Sequence, residues 1–330
     1  MNSGLFKNLS IAGAKAQYDT QCKKILSEKI ILAWILKHVT TEFSDMSIEK
    51  IADCIENPQI SLVKVGPGET NQASVVLHSE LENDVKTVMT GVEDTVSDEG
   101  SIYYDILFSA YVPVKNAHIK LIINLESQKS FYPGYEIVTR GIFYCGRMLS
   151  AQLGTEFKAK DYDNLKKVYS IWICMNAPKY IGNAISEYSI KKNDIISGIP
   201  DNPKAYDKIS VVQICLNNKA DTHNQLLGML NTLLSSDISV AEKKKQLSED
   251  YHINTENKLE KELNLMCNLS DLVEERGIEK GIEKGANKKL QELISKKLKK
   301  GQSLEVIADA LEESVETIQK LINEMAAKTS

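Results

Sequence analysis

Two carboxylates, Asp105 and Glu126, and the amide Gln128 stand in the run YYDILFSAYVPVKNAHIKLIINLESQ, where almost every other side chain of two strand-like stretches is apolar. Both stretches are rich in Ile, Leu, Val, Tyr and Phe, and the break from Pro113 to Ala117 between them reads as a hairpin turn. A symmetric hairpin has its centre between Lys115 and Asn116 and sets Asp105 opposite Glu126. Cross-strand partners root their side chains roughly 4.5–5.5 Å apart on one face. Gln128, two residues past Glu126, shares that face by the strand's period of two. Carboxylates this close repel unless a cation lies between them, and hard oxygen ligands suit Mg²⁺ or Mn²⁺. The alternative is that Asp105 ends its strand in water while Glu126 finds a lysine.

The elements that must position these groups are legible in outline. Between Ala14 and His38, Tyr18, Cys22, Ile25, Ile30, Trp34 and Ile35 recur at helical spacing and predict one core-facing helix. A short helix follows Met46, with Asp45 and Ser47 as candidate caps. Residues 57–100, broken by Gly and Pro and closing on the acidic GVEDTVSDEG, read mostly as irregular, with one strand at ASVVLH. After the hairpin, EIVTRGIFYCGRMLSAQL predicts a helix that turns Ile137, Ile142, Cys145, Leu149 and Leu153 to the sheet and Arg140, Tyr144 and Arg147 away from it. The continuously apolar KKVYSIWICM predicts a central strand, with further strands at AISEYSI and DKISVVQICLN. Alternating strands and helices argue an α/β core.

From about Asp221 the pattern is helical. NQLLGMLNTLL and SVAEKKKQLSEDY predict a helical hairpin, and a long charged helix is expected from Glu256 toward Lys300. Its repeat ERGIEKGIEKG lines up Gly277, Gly281 and Gly285, each costing about 1 kcal/mol against Ala in a helix. Either close approach of a second helix or a frayed linker accounts for them. Lys284 to Lys300 carries seven lysines and one glutamate, a stripe suited to phosphate or simply a solvated face. Beyond Gly301, caps at Ser303 and Ser314 predict two short helices sharing Ile307, Ala308, Leu311, Val315, Ile318 and Leu321, a helix-turn-helix-like unit. Its second helix opens on Glu316 and Thr317, which argues against base reading. The expected organisation is residues 1–235 as the α/β domain, 236–300 as helical linker and 301–330 as the terminal unit.

With 40 basic and 45 acidic residues, net charge −5, any nucleic-acid surface must be local. The six scattered cysteines read as reduced core residues. The five histidines are isolated, and no phosphate loop or nucleophile elbow is present. Lacking a signal-peptide pattern or a run of ~20 apolar residues, the chain is expected to be soluble and cytoplasmic, with no membrane partner.

The order Asp, hairpin, Glu-x-Gln resembles the PD-(D/E)XK nuclease superfamily. More narrowly, Tyr18 to Tyr188, through YYDILF, IKLIINLESQ, PGYEIVTRGIFYCGRMLSAQ and YDNLKKVYSIWICMNAP, resembles the PD-(D/E)XK family transposases, relatives of the bacterial recombination-promoting nucleases. The resemblance implies a restriction-endonuclease-like α/β core with a central mixed sheet flanked by helices, followed here by an all-helical C-terminal extension. It implies Mg²⁺- or Mn²⁺-dependent DNA hydrolysis, with metal on Asp105 and Glu126 and on the Ser127 carbonyl. Gln128 stands where the superfamily places a lysine and can only position water or phosphate. Arg140 and Arg147 are expected to hold the phosphate, Tyr144 to stack or donate, and Glu28 to be a further metal or base group. DNA is the expected partner, with self-association through the C-terminal helix; a non-catalytic interaction protein on the same fold is the alternative.

Overall fold

The computed structural model describes residues 11–56, 58–60, 93–96, 100–115, 117–158, 160–220, 222–256 and 258–327. In chain order these form α1 (Ile11–Leu26), α2 (Lys29–Val39), α3 (Ile48–Asp53), β1 (Gln59–Ile60), β2 (Glu93–Val96), β3 (Gly100–Tyr103), β4 (Ile106–Val114) and β5 (Ala117–Gln128). There follow α4 (Ile137–Ser150), β6 (Lys167–Cys174), β7 (Ala184–Ser189), α5 (Pro203–Tyr206), β8 (Ile209–Cys215), α6 (Gln225–Leu234), α7 (Val240–Glu249), α8 (Lys258–Leu298), α9 (Leu304–Leu311) and α10 (Val315–Ala327). Contacts divide the chain into a unit of Ala16–Asn268 and a second built around Leu269–Ser330.

The first unit is an α/β domain on a six-stranded mixed sheet ordered β1-β4-β5-β6-β8-β7. Strands β5, β6 and β8 run parallel, and β4 and β7 are antiparallel to their neighbours. Two parallel strands in succession need a crossover, and α4 is the crossover from β5 to β6. All eight residues of β6 are buried, as expected for a strand covered on both faces. Period two divides them: Val168, Trp172 and Cys174 join the apolar cluster under α4, while Tyr169 points to the opposite face and donates its hydroxyl to Glu42 Oε2 at 2.6 Å. Strand β5 pairs Glu126 with Trp172 and Gln128 with Cys174, so both polar residues belong to the α4 face.

Three expected elements take a different form. The helix expected over Ala14 to His38 is two helices: Ser27 Oγ donates to the Lys24 carbonyl at 2.7 Å, and Glu28 is extended, with φ −64 and ψ 128. A serine that bonds back to its own turn competes with helix continuation. Helix α2 is then buried through six consecutive residues, Ile31 to Leu36, as a helix enclosed on all sides should be. Ser47 is the N-cap residue of α3, without a side-chain capping bond. Strand β4 runs through Pro113, paired with His118, and closes at Val114 opposite Ala117, a tighter turn than the expected break. Proline is tolerated there because the neighbouring segment pairs with β4 only as far as Tyr111, whose N–H donates to the Cys54 carbonyl at 2.9 Å, which leaves Pro113 at the sheet edge. Glu93–Val96, within the stretch expected to be irregular, pairs with β3. ASVVLH lies outside the described residues.

In the C-terminal unit, Ile294 of α8 packs with Ile307, Ala308, Ile318 and Leu321 of α9 and α10. Ser303 and Ser314 accept from the Val306 and Thr317 amides, as their capping positions require. Val315, expected in that core, is 39% exposed, because the helix it opens turns Ile318 and Leu321 inward instead. Of the three aligned glycines only Gly285 has a described environment. A Cβ there would meet nothing within 4 Å, so no close helix contact asks for glycine at that position. Among the described residues no helix is long and apolar enough to cross a membrane.

Candidate functional site

The hairpin ladder sets Ile106 against Leu125, and continuing it by one step sets Asp105 against Glu126. Asp105 itself lies just before β4, at a bend in the chain. The two residues are laced together through the backbone. The Asp105 N–H donates to Glu126 Oε1 at 2.9 Å, and the Ser127 N–H donates to Asp105 Oδ2 at 3.1 Å. Because a strand residue's N–H and C=O leave on the same edge, the Ser127 carbonyl is directed to the Asp105 side as well. Asp105, Glu126 and Gln128 are 5%, 6% and 8% exposed, so the acids are not solvated by bulk water.

The group that sequence reasoning missed is Lys23. Its ammonium lies 2.8 Å from Asp105 Oδ1 and 3.8 Å from Asp19 Oδ2, and the residue is 3% exposed. It occupies the α1 position next to buried Cys22 and two before buried Ile25. A lysine is ordinarily taken as the solvated residue of such a helix. The alternative that an acid of this pair finds a lysine therefore holds for Asp105 rather than for Glu126, and in a buried setting. Burial, the largest single influence, works against the Lys23 charge, but Asp105, Asp19 and Glu126 together outweigh it and raise the ammonium's pKa. Glu126 is pushed well above the ordinary carboxylate range, first by burial and then by the Asp105 charge, against the pull of the Asp105 N–H, Arg140 and Lys23.

Helix α4 presents a different stripe from the one expected. Ile137, Gly141, Tyr144, Cys145 and Met148 are buried, whereas Ile142 and Leu153 are 52% and 55% exposed. The close approach at Gly141 selects this phase: a Cβ would stand 2.6 Å from Val211 Cγ1 and 3.0 Å from Trp172 Nε1. Arg140 and Tyr144 are thereby turned toward the carboxylates. The Arg140 guanidinium donates to Tyr135 Oη at 2.5 Å and to Tyr144 Oη at 2.6 and 3.1 Å, with its carbon 5.6 Å from the centre of the Trp172 ring. Its charge acts on Glu126, and it is half-buried. Arg147 is buried too, seven residues and about 10 Å further along the helix axis. Tyr144 is raised above its usual pKa, first by burial and then by the Glu126 charge. Glu28 instead pairs with Lys258 at 2.8 Å.

Among the described residues no group of three or more His, Cys, Asp or Glu side chains could hold a metal. The site thus offers two carboxylates and a carbonyl, a donor set that fits Mg²⁺, which is held by one or two carboxylates plus substrate oxygens. The Lys23 ammonium on Asp105 shows that the pair already accommodates one positive charge. A cavity of about 310 Å³ on the same face is lined by Tyr104, Leu107, Ile122, Met148 and the Lys120–Glu156 pair, and it contains neither carboxylate. Compared with family models, with curated proteins and with solved structures, the chain matches none.

Proposed function

We propose that the chain is a metal-dependent DNA endonuclease of the transposase-like type, hydrolysing phosphodiester bonds at Asp105 and Glu126. The observation that supports this reading most is the buried, backbone-laced Asp105–Glu126 pair at the end of the parallel strands, the end at which open α/β sheets take their ligands. Asp105, Glu126 and the Ser127 carbonyl would hold Mg²⁺ or Mn²⁺, which when bound polarises a phosphate and lowers the pKa of attacking water. Gln128 positions water or phosphate by hydrogen bonds and takes no proton. Arg140, fixed by Tyr135 and Tyr144, supplies a preorganised positive charge on the phosphate side. Exposed Lys288, Lys289, Lys296, Lys299 and Lys300 of the C-terminal unit contribute sequence-independent DNA affinity.

Incubation with supercoiled plasmid and Mg²⁺ or Mn²⁺, beside Asp105→Asn and Glu126→Gln proteins shown folded by circular dichroism, tests this. Nicking by the wild type alone is the expected result; equal nicking by all three removes these residues from the chemistry. A second reading rests on the Lys23 contact. A carboxylate already neutralised by a lysine needs no metal, as in a non-catalytic interaction protein. That reading expects no Mn²⁺ heat in calorimetry of the wild type.

A further inference from the structure

We propose that Lys23 is the resident cation of the carboxylate pair, that it releases Asp105 when a divalent cation binds, and that its ammonium then serves the substrate phosphate. This rests on the nuclease reading and assigns the charge that Gln128 cannot supply. Two cations act on Glu126, namely Arg140 and Lys23. Arg140 is tied by three hydrogen bonds to two tyrosines and cannot leave its place without breaking them. Lys23 is held differently. Its ammonium bonds one oxygen of Asp105, while the other oxygen accepts from the Ser127 amide. A divalent cation on Asp105 must therefore share the carboxylate with Lys23 or take its oxygen.

A place for the released ammonium exists. Asp19, one turn earlier on the same helix, is 3.8 Å from Nζ and its side chain is 20% exposed, against 7% for Asp105. Rotation of the four-carbon stem moves the charge from one carboxylate toward the other without moving α1, so Lys23 has two seats and a cation on Asp105 decides between them. Lysine suits this role as a compact charge on a flexible stem, in contrast to the planar, forked Arg140. In its released position the ammonium remains beside the pair, where a phosphate oxygen bound there would meet it.

Mn²⁺ titrated calorimetrically into wild type and Lys23→Met tests the exchange. With the competing charge removed, Mn²⁺ should bind roughly 5- to 150-fold more tightly, the usual size of coupling between two sites, while plasmid cleavage by the same variant falls. Unchanged or weaker Mn²⁺ binding by Lys23→Met overturns the exchange while leaving the nuclease reading standing. Binding by the variant but not by the wild type overturns the exchange, because Lys23 then never yields Asp105, and it refutes the metal-dependent activity of the natural chain. Binding by neither overturns both. Acetic anhydride labelling of wild-type Lys23, read by mass spectrometry, decides the matter independently should Lys23→Met fail to fold. Labelling should rise on Mn²⁺ addition, and labelling unchanged by Mn²⁺ overturns the exchange.

Discussion

Replacing Lys23 by Met removes the partner of Asp105 while keeping an unbranched stem of similar length. Lys23 and Asp105 are 3% and 5% exposed and their charged atoms lie 2.8 Å apart, so this is a buried pair. Removing one member of such a pair costs about 3–5 kcal/mol, because the other charge is left uncompensated. Here the Ser127 N–H still donates to Asp105, which places the expected loss near the lower end, about 3 kcal/mol. Lys23→Met combined with Asp105→Asn removes both charges, and such replacements are often neutral, so the double variant should return to within about 1 kcal/mol of the wild type. Urea denaturation followed by tryptophan fluorescence measures this cleanly, since the chain's two tryptophans, Trp34 and Trp172, both belong to the Ala16–Asn268 unit. The folded-state pKa of Lys23 is raised. Its contribution is therefore complete below the ordinary 10.5 and is lost as pH rises through the folded value, so measurement at pH 7 captures all of it. A loss below about 1 kcal/mol for Lys23→Met, or additive costs in the double variant, would show that the two charges are not coupled.

Two further predictions follow from the same face of the sheet. Because burial and Asp105 raise the Glu126 pKa, the folded state holds that proton more tightly than the unfolded chain. The associated stability is present below the ordinary 4.5 and is lost as pH rises toward the folded value. Glu126→Gln should accordingly match the wild type near the ordinary value and gain on it progressively toward neutral pH in denaturation midpoints; a pH-independent difference would contradict this. Gly141→Ala should destabilise by about 1–2 kcal/mol, the overpacking against Val211 and Trp172 exceeding the helix gain, whereas Gly146→Ala, where a Cβ meets nothing within 4 Å, should stabilise by up to about 1 kcal/mol. Thermal melts of the two variants shifting in the same direction would refute the assigned phase of α4.

The register that pairs Asp105 with Glu126 was legible in the amino-acid pattern alone, because a symmetric turn and a period of two leave little freedom once both strands are apolar. So was the central place of β6, since a continuous apolar run is tolerated only where both faces are covered. The phase of α4 needed the tertiary structure: Ile142 and Ile137 are equally apolar, and only the close contact of Gly141 with Val211 and Trp172 selects the stripe that turns Arg140 inward. The break at Ser27 likewise depends on a local hydrogen bond that competes with a good helical pattern. Lys23 was beyond the reach of sequence patterning for a stronger reason. A lysine in a helix is favourable in water and costly when buried, and what reverses that preference is a carboxylate from the distant start of β4, brought to it only by packing of α1 against the sheet end.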